Sequence, residues 1–166
     1  MPEDLPDLGA RKTLAKTLAR NLIRDAKIKT APVSLQRVIE HLQGSYDLEV
    51  RRMDVSGKVS GLIVICRDLD SEFATIGFNS NHPWCRRRFT IAHEIGHLLL
   101  NHTCTGKQND GTHYETEANV FASELLVPRG LIKKDFARLQ DARELSKLYR
   151  VSDQTISIAL IEGRLL

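Results

Sequence analysis

Residues 86–102, "RRRFTIAHEIGHLLLNH", decide how the rest of the chain is read. Two histidines, His93 and His97, stand four apart, and Glu94 directly follows the first. A helix turns by about 100° per residue, so positions four apart lie nearly above one another. The two imidazoles therefore share one face. The flanking residues Ile91, Ala92, Ile95, Leu98, Leu99 and Leu100 are apolar, which places this helix in the interior. A carboxylate buried between two histidines is costly without a partner.

The chemistry that fits this pattern is a metal site. Two neutral imidazoles supply nitrogen ligands, and the glutamate leans over the same face as a base for the attacking water rather than as a ligand. A catalytic zinc site of this kind takes a third protein ligand. The extension HExxHxxGxxH is excluded, because Leu100 and Thr103 stand where it requires glycine and histidine. His102 lies nine residues after His93, about 180° around a continued helix, and is a poor candidate. The ligand is expected from the next helical stretch, "HYETEANVFASELLVP", which offers Glu115, Glu117 and Glu124. Glu115 shares a face with the small residues Ala118 and Ala122 and with Asn119, a group suited to the outer nitrogen of a ligating histidine. Face geometry selects Glu115, with Glu117 and Glu124 left open.

The 166-residue chain is 42% apolar and 27% charged, as expected of one globular domain. A formal charge of +3 does not argue for nucleic acid. The three cysteines, Cys66, Cys85 and Cys104, form no CxxC pair, so neither a disulfide framework nor a cysteine metal site is indicated. With no signal peptide and no membrane-spanning apolar run, the expectation is a cytoplasmic protein.

Residues 1–9 form an expected loose leader, and 10–166 one domain. A helix is expected over 10–29 with an apolar stripe of Leu14, Leu18 and Leu22 and a solvated basic face. A second runs from the cap Ser34 to Gly44 with Leu35, Val38, Ile39 and Leu42 inward. Short β-rich runs over 46–79 predict a small antiparallel meander. Its strand "FATIGFN" is expected at the rim of the cleft, with Phe73, Thr75 and Gly77 holding substrate along an unpaired edge. A polar loop, 103–112, precedes the helix that ends before Pro128. The tail, 141–166, has the rhythm of a helix-turn-helix, with helices over 141–149 and 153–162. Its second helix carries no Lys or Arg from Asp153 to Ile161, which argues against DNA reading and for a structural or docking role.

Together, "RRRFTIAHEIGHLLLNH" and "ETEANVFASELLVP" resemble the ImmA/IrrE family of metallopeptidases, over roughly residues 20–166. The resemblance implies an α+β, zincin-like fold: a small sheet, an HExxH helix and a third glutamate ligand on the following helix. It implies His93 and His97 as ligands and Glu94 as catalytic base, and the family's E-x-x-x-N/D pattern falls on Glu115 and Asn119. It further implies an intracellular zinc endopeptidase, with manganese also compatible, acting on helix-turn-helix transcriptional repressors that control mobile-element or stress genes. The competing expectation is a zincin-shaped regulator that binds a repressor or DNA without hydrolysis. A membrane partner is not expected.

Overall fold

The computed structural model describes residues 10–67, 72–102 and 110–166; the expected leader, Cys104 and most of the loop over 103–112 lie outside them. The described elements are α1 (Lys12–Asp25), α2 (Leu35–Gln43), β1 (Asp47–Met53), β2 (Gly61–Arg67), β3 (Glu72–Asn79), α3 (Trp84–Leu99), α4 (Asp110–Leu126), α5 (Arg129–Leu139), α6 (Ala142–Tyr149) and α7 (Asp153–Glu162). The class is α+β, as expected.

The sheet is mixed rather than antiparallel. Its order is β1-β3-β2, with β3 parallel to β1 and antiparallel to β2. The segment between β1 and β2 skips one place in the sheet, and β3 fills the gap. Asn79 holds that crossover. Its buried carboxamide donates to the carbonyls of Val55 and Val59 at 3.1 and 2.9 Å, and its backbone N–H donates to Ser60 O. Ser80 ties the end of β3 to Met53 O through both its N–H and its hydroxyl. Strand alternation reports which residues face a core, not which strands are neighbours, so the parallel pairing was not visible in the runs.

This topology also corrects the expected role of β3. Phe73, Thr75 and Gly77 pair with both neighbours and present no free backbone edge. The edges of the described sheet are β1 and β2. Gly61, at the start of β2, lies against Thr90 and Glu94 of α3; a Cβ there would collide with Thr90 and stand 2.9 Å from Gly77 O. Glycine lets the edge strand run directly over the HExxH helix.

Helix α4 lies between α1 and α3. Small residues make both approaches close: Ala15 and Ala19 on α1, Ala118 and Ala122 on α4, all fully buried. On α3, a Cβ at Gly96 would stand 3.0 Å from the Phe121 ring and 3.2 Å from the Ala118 Cα. The buried stripe of α1 is Ala15, Ala19, Leu22 and Ile23, so the leucine stripe is offset by a residue and Leu14 is exposed. The basic side of α1 is not simply solvated. Arg20 pairs with the buried Glu124 at 2.8 Å, and Arg11, just before α1, pairs with the buried Glu117 at 2.8 Å.

Helix α2 follows expectation, with the Ser34 hydroxyl accepting from Arg37 N–H and Leu35, Val38 and Leu42 buried. Helix α5 was not foreseen; Ile132 is its one fully buried position, which leaves almost no periodic signal. In the tail, Leu145, Ile156 and Leu160 are fully buried and Leu148 packs against the core, so these four seal the domain and are not a docking face.

Candidate metal centre

Helix α3 carries His93 and His97 one turn apart, with their Nε2 atoms 2.9 Å from each other. Glu115, on α4, faces both: Oε2 lies 3.2 Å from His93 Nε2, and Oε1 lies 3.2 Å from His97 Nε2. The histidine side chains are largely buried and that of Glu115 is 60% exposed, so the cluster opens to solvent on the α4 side. These three form a compact group able to hold a metal ion.

The outer nitrogens explain the ring orientations. His93 Nδ1–H donates to Asn119 Oδ1 at 2.9 Å, and Asn119 is one turn beyond Glu115. His97 Nδ1 lies 2.8 Å from His102 Nδ1, and His102 Nε2 lies 2.9 Å from Glu117 Oε2. The carboxylate only accepts, so His102 Nε2–H donates to it. In the neutral ring, His102 Nδ1 is then an acceptor, and His97 Nδ1–H donates to it. Glu117 is itself fixed by Arg11, whose backbone N–H donates at 2.7 Å and whose Nη2 donates at 2.8 Å. With both Nδ1 atoms protonated, the Nε2 lone pairs of His93 and His97 face each other across 2.9 Å. Two lone pairs that close repel unless a cation lies between them.

The donor set fits a divalent ion. A tetrahedral centre with bonds of about 2.1 Å places its ligand atoms about 3.4 Å apart. The separations here are 2.9, 3.2 and 3.2 Å, from two imidazole nitrogens and one carboxylate.

The backbone brings His102 to this place. α3 ends at Leu99, and Asn101 adopts a left-handed conformation with φ of 54°. Asn101 N–H donates to Leu98 O and His102 N–H to His97 O, the paired bonds of a Schellman cap. The chain turns back on the last helical turn, and the His102 ring stacks on Tyr114 with centroids 4.3 Å apart. His102 is therefore not half a turn away on a continued helix. It is not one of the three residues of the cluster, but it touches the cluster through His97. Sequence spacing rejects His102 as a ligand and leaves Glu117 open as one without showing that they pair, and it misses Arg11; the Asn-His pair ending the apolar run is the available signal for His102, since Asn tolerates the left-handed cap.

Glu117 and Glu124 do not face the cluster. Glu117 points to Arg11 and His102. Glu124 accepts from Arg20 and from the Arg129 N–H at the start of α5. Glu94 is 7% exposed, and burial, followed by the nearby charge of Glu115, pushes its carboxyl up to about 7. Burial, and then the neighbouring His93, pulls His97 down to about 4, which keeps the ring neutral. Burial would raise Glu117, but hydrogen bonds from the Arg11 side chain and backbone and from His102 outweigh it and hold the carboxyl at about 2.

A small sheet, an HExxH helix and a glutamate on the next helix define a zincin-like domain. The chain belongs to the family described as Peptidase_M78, IrrE N-terminal-like domain, whose model matches residues 44–160. Among solved structures it is similar to a Mycobacterium tuberculosis transcriptional regulator, with a TM-score of 0.63 and 14% identity, a likeness that shows the fold alone. The match covers 87% of this chain and 45% of that one, so this chain spans less than half the length of that protein. No curated protein matches the chain. No helix among the described residues is long and apolar enough to cross a membrane.

Replacing Glu117 with Leu removes the acceptor of both His102 and Arg11. Urea unfolding of the metal-free protein should show a loss of about 2–3 kcal/mol. Glu115→Gln, at an exposed position, should change stability by about 0.5 kcal/mol or less.

Proposed function

We propose that the protein is a metal-dependent endopeptidase in which His93, His97 and Glu115 hold the ion, Glu94 is the general base and Asn119 orients His93. The convergence of the two Nε2 lone pairs and the Glu115 carboxylate, beside a buried carboxyl near neutral pKa, supports this reading most strongly. Zinc or manganese suits two imidazoles and a carboxylate. When bound, such an ion supplies Lewis acidity at the site. Glu94 takes a proton from the attacking water and returns it to the leaving amine. A carboxyl held at about 7 is well matched to both transfers. Asn119 and His102 keep the ligating rings in one tautomer.

The substrate enters as an extended segment along the free edge of β2, in place of the expected β3. Gly61 brings that edge against Thr90 and Glu94, and Leu62 and Val64 are exposed along it. Strand addition fixes a peptide by its backbone and leaves side-chain demands loose. Membership of the family supports a helix-turn-helix transcriptional repressor as the protein substrate, since that is what the ImmA/IrrE resemblance implies, and a cytoplasmic site of action follows from the same reading.

Two outcomes are expected. Co-expressed with a helix-turn-helix repressor from a neighbouring reading frame, the wild-type protein should cut it, and Glu94→Gln should lower the rate at least about 100-fold while retaining stoichiometric metal. His93→Ala, His97→Ala and Glu115→Ala should lose metal, whereas Glu124→Ala should retain it. Derepression that survives Glu94→Gln would contradict hydrolysis and favour a binding regulator. For the β2 edge, proline substituted at successive positions around the cut should sharply reduce cleavage by removing ladder donors; indifference to proline would rule out strand addition.

A further inference from the structure

A groove of about 800 Å³ lies between α2, the sheet and the first half of α3. Its lining from α3 is Trp84, Arg87, Arg88 and Ile91, about half a turn around the helix from His93 and His97, so it is separate from the metal cluster. Four arginines border it: Arg52 from β1, Arg87 and Arg88 from α3, and Arg150 from the turn between α6 and α7. The acidic side chain in the lining, Glu40, is exposed and accepts from Gln36. Among the described residues, none of the four arginines has a carboxylate partner.

Arg88 is the unusual member. It is 7% exposed, its Nη2 donates to Val33 O at 2.9 Å, and its Nε has no acceptor. Burying the Nε donor of a guanidinium without an acceptor costs free energy. Burial, and then the neighbouring charge of Arg150, weakens its hold on its proton. Arg87 also has a buried Nε without an acceptor, and its guanidinium lies 5.3 Å from the centre of the Trp84 ring. Trp84 is 52% exposed, although apolar Ile39, Phe78 and Ile91 are at hand in the same groove. Unpaired guanidiniums beside an open aromatic face match a ligand with several negative charges and a flat ring.

We propose that this groove binds a phosphate-bearing small molecule of the nucleotide class, with its phosphates held by Arg87, Arg88 and Arg150 and its base against Trp84. Guanidinium forks match phosphate oxygens in pairs. A lone carboxylate would leave most of the positive charge unmatched. The volume falls within the range of small-molecule sites. A nucleic-acid duplex is a poorer occupant, because its backbone cannot reach an arginine as recessed as Arg88.

Trp84 is the only tryptophan, so its fluorescence reports on this groove. Titration of the full chain with ADP should give saturable quenching, half-complete at or below about 1 mM. Inorganic pyrophosphate should compete. Arg87→Gln and Arg150→Gln should each weaken ADP binding at least about ten-fold with an unchanged circular dichroism spectrum. Arg88→Met, which replaces a buried charge with a side chain of similar length, should fold and lose most of the affinity. Absence of saturable quenching, or affinities unchanged across the folded arginine variants, would overturn the proposal. So would quenching by a DNA oligonucleotide that ADP and pyrophosphate fail to displace, which would make a nucleic-acid chain the source of the phosphate.

Discussion

The arrangement of the His93–His97–Glu115 cluster depends on a hydrogen-bonded chain, Arg11–Glu117–His102–His97. An imidazole has two usable tautomers, and only one leaves Nε2 free as a ligand. The choice at His97 is made two residues away from the ring itself. Arg11 keeps Glu117 ionised, Glu117 takes the His102 Nε2 proton, and His102 Nδ1 is left to accept from His97. At His93 a single amide, Asn119, makes the same choice. The chain crosses α1, α4 and the cap of α3, so ring orientation is tied to the packing of three separate elements.

Helix α4 directs three carboxylates to different tasks. Glu115 and Asn119 lie on one side and face the histidines. Glu117 and Glu124, seven residues apart on roughly the opposite side, meet Arg11 and Arg20. The two pairs, each a half-exposed arginine on a buried glutamate, clamp α1 along α4, and Ala15, Ala19, Ala118 and Ala122 allow the close approach that keeps the pairs short. Gly96 performs the same service between α3 and α4. The glycine inside the HExxH motif is thus a packing residue, and it sets how near Glu115 comes to the histidines.

The helical parts of the site were legible because the helix period is rigid. The spacing of His93 and His97, and of Glu115 and Asn119, translates directly into shared faces. What could not be read was any feature set by chain reversal. The mixed sheet depends on a crossover held by Asn79, a residue with no pattern of its own, and so the wrong strand was given the free edge. His102 was misplaced because the helix was extended past Asn101, where the left-handed cap folds the chain back. Glu117 was left open as a ligand because its partner, Arg11, lies 106 residues away in sequence. Long-range ion pairs leave no local periodicity.

The most direct test of this account is the tautomer of each histidine in the metal-free protein, read at neutral pH from two-bond ¹⁵N–¹H correlations of the imidazole rings. The account predicts protonated Nδ1 with bare Nε2 at His93 and His97, and protonated Nε2 with bare Nδ1 at His102. Replacing Glu117 with Gln should release His102 and His97 into a mixture while leaving His93 unchanged. Protonated Nε2 at His93 or His97 in the unaltered protein, or a His97 tautomer indifferent to Glu117, would contradict it.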